Sequence, residues 1–139
     1  MNWIFWALLS ALFAAATAVL AKVGVAHVDS NLATAIRTTV VLVFAWAIAI
    51  SLGKHGEIRQ VDGRAWLFLT LSGLATGLSW LCYFRALQLG PASRVAPLDK
   101  LSVVLVMVFA VLFLGEKLSP AALVGGGLIA AGAVVMVLA

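Results

Sequence analysis

Apolar residues fill this chain in five long runs, and polar residues collect in the short stretches between them. The runs cover about 3–23, 31–52, 65–89, 93–114 and 119–138. A hydrocarbon core about 30 Å thick is crossed by about 20 apolar residues in helical form, so each run is long enough to span it. The pattern predicts an all-α integral membrane bundle of five transmembrane helices, read as a single domain over residues 1–139.

The polar stretches carry stop and start signals. Lys22, His27, Asp29 and Ser30 mark the first loop, and Ser30 or Asn31 is expected to cap the second helix. Gly53 to Arg64 (GKHGEIRQVDGR) is the most polar part of the chain and reads as a loop outside the hydrocarbon. Gly90 and Pro91 end the third helix. Pro97 near the start of the fourth is tolerated in the first turn; if the helix begins earlier, the proline leaves the Ser93 carbonyl without its donor and breaks the helix. Ser119 is expected to cap the fifth helix, with Pro120 at its first position. Gly73 and Gly77 have the spacing that lets two helices approach at backbone distance.

Composition narrows the class further. Hydrophobic residues make up 65% and charged residues 10%, too few charges to cover a soluble domain of 139 residues. The net charge of +4 does not indicate nucleic acid, because the nine Lys and Arg residues are scattered singly, without a basic run or stripe. The start, MNWIFW, lacks a basic n-region, so the first run is expected to be a retained helix and not a cleaved signal. Cys82 is the only cysteine and reads as a small buried hydrophobe, while His27 and His55 read as solvated loop residues.

Most of the charge lies at or beyond the ends of the apolar runs, and four charges lie deeper: Arg37, Arg85, Asp99 and Lys100. A charge inside a spanning helix must snorkel, pair or face a wet cavity. The two arginines have stems long enough to reach the interface; Asp99 does not. Asp99 and Lys100 are neighbours, so on a continuous helix they point about 100° apart and pair poorly. Asp99 is therefore expected to meet Arg37, Arg85 or a residue of another chain. Trp80 and Tyr83 lie three apart on the third helix, near Thr76 and Ser79, a face that suits a cavity with an aromatic wall or, equally, a helix contact or lipid-facing belt. The candidate substrate-binding set is thus Arg37, Trp80, Tyr83, Arg85, Asp99 and Lys100. There is no catalytic motif, phosphate-binding glycine loop, metal-ligand cluster or cofactor motif, so an enzyme is not expected. Asp99 is the one carboxylate inside the runs.

Topology adds a charge count. The side bearing the amino terminus holds Lys54, Arg59, Arg64 and Lys117; the other holds Lys22 and Arg94, joined by Arg37, Arg85 and Lys100 if the deeper charges count. The positive-inside signal is weak, as suits a chain able to insert in both orientations.

From Tyr83 to Leu138 the sequence resembles the second part of an EamA domain of the drug/metabolite transporter superfamily. The resemblance rests on Ala86-Leu87, Gly90-Pro91-Ala92, Ala96-Pro97-Leu98 and the run Leu114 to Ser119 (LGEKLS), with the earlier helices matching in number and spacing. Most members have two five-helix repeats of opposite topology around a central cavity, and this chain matches one. The resemblance implies one half of an inverted-repeat fold, completed by a second copy in an antiparallel homodimer or by a heteromeric partner half. It implies a multi-pass protein of the inner membrane that carries or exports small organic substrates by alternating access. A non-transporting subunit of another complex is the alternative. The small multidrug exporters of the same superfamily depend on a first-helix carboxylate, which this chain lacks before Lys22, and export of lipophilic cations by that route is disfavoured.

Overall fold

The computed structural model describes residues 2–138, and the described chain is built from helices. They are α1 (Trp3–Gly24), α2 (Ser30–Ser51), α3 (Gly63–Leu89), α4 (Ala92–Asp99), α5 (Leu101–Leu114) and α6 (Pro120–Leu138), with a 3₁₀ segment over Lys54–Gln60. Five stretches are long and apolar enough to cross a bilayer, α4 and α5 together forming the fourth as Ala92–Leu114. The chain divides into two compact units, one of Val23–Gln88 and one of α1 up to Lys22 together with the chain from Leu89 onward.

In the Val23–Gln88 unit, α2 is started by Asp29 and not by Ser30 or Asn31. The Asp29 carboxylate accepts from the backbone N–H groups of Asn31 (2.9 Å) and Leu32 (3.2 Å). A carboxylate there satisfies two of the orphan donors and also meets the positive end of the helix dipole, which a serine hydroxyl does not. Within α2 the hydroxyls of Thr34, Thr38 and Thr39 donate to the carbonyls of Ser30, Thr34 and Ala35, so none needs water inside the apolar span. The helix closes at Gly53, whose φ of 69° is the left-handed value that glycine adopts without strain. The polar stretch that follows is the 3₁₀ segment, with an exposed Lys54–Glu57 ion pair of 2.6 Å. Asp62 then caps α3, its carboxylate accepting from Ala65 N–H at 3.0 Å. This cap sets the start of α3 at Gly63, two residues before the expected one.

In the other unit, α4 begins at Ala92 with the Pro91 carbonyl accepting from Arg94 and Val95. Pro97 is thereby inside the helix, and α4 ends at Asp99. The chain passes Lys100 through short three-residue bonds, Lys100 N–H to Pro97 O and Val103 N–H to Lys100 O, both 3.0 Å, before α5 begins. The fourth span is thus interrupted at Lys100, three residues beyond Pro97, and not at Ser93, where the helix runs on although the proline supplies no N–H to that carbonyl. At the end of α5, Gly115 takes φ 67° and the Glu116 N–H reaches back to Ala110 O at 3.1 Å, a closure that satisfies an orphan carbonyl. Ser119 caps α6 as expected, its hydroxyl accepting from Ala122 N–H at 3.1 Å. The sixth helix packs against α4 and α5 through small residues: Ala110, Gly126 and Ala133 are buried. A Cβ on Gly126 would lie 2.9 Å from the Met107 sulfur, so the missing side chain makes room for that thioether.

Large apolar side chains face outward along the spans, Val40 at 63%, Leu78 at 66% and Leu112 at 69% exposure among them. In water such surfaces would aggregate; in a bilayer they are what lipid covers. Cys82 is exposed on α3, which corrects its reading as a buried hydrophobe.

Candidate functional site

On α2, Ser30, Ala33, Thr34 and Arg37 recur at helical spacing and are covered or half covered, while Asn31, Leu32, Ala35 and Ile36 between them are exposed. On α3 the covered stripe is Gly77, Trp80, Tyr83, Phe84, Leu87 and Gln88. Both follow the three-and-four residue period of one helix face. They meet where the Arg37 guanidinium carbon lies 4.3 Å from the Trp80 ring centroid and 5.4 Å from that of Phe84. A cation held against two aromatic rings gains on the order of 0.5–2 kcal/mol, the upper end when desolvated.

Near the end of α3, Gln88 fastens this arrangement to the loop before α2. Its amide nitrogen donates to Val28 O at 2.7 Å and more weakly to Val25 O at 3.4 Å, while its amide oxygen accepts from Arg85 at 3.0 Å. Arg85 is exposed and engaged with Gln88; Arg37 is half-buried and makes neither a hydrogen bond nor an ion pair among the described residues. The structure thus brings Arg37 and Trp80 together. It places Tyr83 half-buried one turn from Trp80 on the same α3 face. Trp80 already gives one ring face to Arg37, and the Thr76 hydroxyl donates to its own helix at Ser72 O.

Asp99 and Lys100 belong to the other unit. Their expected poor pairing is corrected: the Lys100 ammonium lies 3.6 Å from the Asp99 carboxylate. The 100° separation assumed a continuous helix, and the helix ends between them, freeing both side chains to turn toward one another. In the same unit Lys22, expected to serve as a loop charge, donates to Gly90 O at 2.8 Å. That carbonyl sits just past the negative end of α3, where a cation is favoured and where Pro91 offers no N–H of its own.

Phe84, Gln88 and the Lys22–Gly90 bond were not apparent as site features. Gln88 had one signal, a polar side chain three residues beyond Arg85 on the same helix. Its carbonyl partners lie 60 and 63 residues away in sequence, a distance no local pattern spans. Among the described residues, no group of three or more His, Cys, Asp or Glu is placed to hold a metal ion.

Residues 1–138 match the model of the EamA-like transporter family. A Sinorhizobium protein described as an uncharacterized transporter in the cobO 3' region is 60% identical over 135 residues, 97% of this chain and 96% of its own length. No solved structure matches.

Proposed function

The chain belongs to the EamA-like transporter family and is a multi-pass membrane transporter, and on that premise we propose that it carries small organic metabolites across the inner membrane by alternating access, as an antiparallel homodimer. The observation that carries this reading is the number of spans. Five crossings leave the two ends of the bundle on opposite sides, so a second copy inserted upside down supplies an inverted repeat, the plan on which many secondary transporters place their site. The near balance of basic residues between the two sides supports insertion in both orientations. The Sinorhizobium relative described as an uncharacterized transporter is matched over 96% of its length. The candidate set Arg37, Trp80, Tyr83, Arg85, Asp99 and Lys100 supplies the cavity charge and aromatic wall, and the chain acts as a carrier without a bound cofactor.

The rival, a non-transporting subunit or one half of a heteromeric transporter, makes a different prediction for the chain alone. Purified protein is reconstituted into liposomes loaded with a mixed metabolite extract, and the loss of each metabolite is followed by mass spectrometry against protein-free vesicles. Protein-dependent loss of particular metabolites supports transport by this chain alone; retention of all of them supports the rival. Proton coupling has its own test. Asp99→Asn is expected to abolish flux driven by a pH gradient while leaving the dimer intact by cross-linking, because Asp99 is the carboxylate within the spans. Unchanged flux removes it from the mechanism.

A further inference from the structure

The charges inside the spans are unequal in sign. The only carboxylate within them is Asp99, already paired with Lys100, whereas Arg37 lies seven residues into α2, about 10 Å from its start, without an acidic partner among the described residues. The protein holds the Arg37 guanidinium by its carbon, against the faces of Trp80 and Phe84. Neither ring carries an oxygen or nitrogen acceptor, so these contacts form no hydrogen bond with its N–H groups. Those N–H groups are also within reach: no fully buried side-chain nitrogen or oxygen among the described residues lacks a partner, so the unpaired donors of Arg37 retain accessible surface. The neighbouring threonines offer no substitute, since Thr34 and Thr38 spend their hydroxyl protons on backbone carbonyls. Arg85 differs in this respect, because Gln88 accepts from it.

We propose that Arg37 is the anchor for an oxyanion on the transported molecule, so that the cargo is a small organic anion bearing a carboxylate, phosphate or sulfonate. The inference rests on the transporter reading and names its substrate class. A guanidinium edge presents paired N–H donors that fit two oxygens of one planar or tetrahedral anion. Trp80 and Phe84 hold the guanidinium in place in the absence of the anion, which lowers the cost of binding. The same oxyanion chemistry is found on the phosphate of an anionic lipid, and the experiment separates the two sources.

The test measures binding without requiring transport. Trp3, Trp6, Trp46 and Trp66 are replaced by Phe, leaving Trp80 as the reporter that lies against Arg37. The protein is held in neutral detergent and titrated with benzenesulfonate, with uncharged benzenesulfonamide and with benzyltrimethylammonium. A saturable change in Trp80 emission is expected with benzenesulfonate and not with the other two. Arg37→Gln should weaken it by about tenfold or more, the loss of one or two charge-assisted hydrogen bonds. Arg37→Lys, which keeps the charge without the fork, should recover part of it. In a second arm phosphatidylglycerol is added to the micelles. A response to the lipid and none to benzenesulfonate overturns the proposal and assigns Arg37 to a headgroup. Equal responses to all three aromatic probes, or a benzenesulfonate response that survives Arg37→Gln in a protein that still melts cooperatively, also overturn it. Anion binding by a protein that moves no metabolite in liposomes removes the transporter reading and keeps the site. Flux without anion binding does the reverse.

Discussion

A guanidinium in an apolar span stays charged by reaching water, by meeting a counter-ion, or by lying against a polarisable surface. Arg37 lies against Trp80 and Phe84 and keeps accessible donors that neither ring takes up. Gln88 acts in the opposite way, with both ends of its amide committed: the nitrogen to Val28 O and Val25 O, the oxygen to Arg85. Replacing it should therefore be felt twice. Gln88→Leu is expected to lower stability by about 1 kcal/mol, since polar contacts between membrane helices contribute about 0.6–2 kcal/mol. It should also free Arg85. Thermal melting of the purified protein in detergent checks the first effect, and a melt unchanged from the parent would show that the loop before α2 is held by other contacts.

At the scale of elements the fourth span is the informative one. Pro97 sits in the sixth position of α4, deprives the Ser93 carbonyl of a donor, and is followed within three residues by the end of the helix at Asp99. Pro97→Ala should restore the bond to Ser93, join α4 to α5 and raise stability by about 1 kcal/mol, the net value of one hydrogen bond. The same change should slow flux, because the broken region is where Asp99 and Lys100 pair. A higher melting temperature with undiminished flux would make the break a matter of packing alone. Much of this level was readable from residue order: the five runs, the stop at Gly90 and Pro91, and the Ser119–Pro120 start all depend on local chemistry. The start of α2 was misassigned because a capping serine at residue 30 and a capping aspartate at 29 look alike in a string, and charge against the helix dipole decides between them. The Asp99–Lys100 pair was misjudged because the interruption of the span at Lys100, three residues beyond Pro97, has no marker of its own in residue order. Arg37 and Trp80 were each singled out, but their contact joins two helices 43 residues apart and needed the fold to bring it about.

For the whole molecule, the chain has many outward-facing apolar residues and few buried ones. Val25, Phe84, Leu87, Ala110 and Ala133 are its buried apolar residues among those described. At Gly73 and Gly77 nothing lies within 4 Å of where a Cβ would stand, so the close approach their spacing permits is not made by this chain's own described residues. Lipid and a second copy both suit such surfaces, and the antiparallel dimer is the arrangement that turns one five-helix repeat into an inverted pair. Its direct test is membrane orientation. Single cysteines are placed at His27, in the loop before α2, and at His55, in the 3₁₀ segment after it, in a Cys82→Ser background, and labelled in intact cells with an impermeant maleimide. The helix between them puts the two positions on opposite faces. Dual insertion predicts that each position labels in about half of the molecules. Labelling confined to one of the two positions would show a single orientation and contradict the self-complementing dimer.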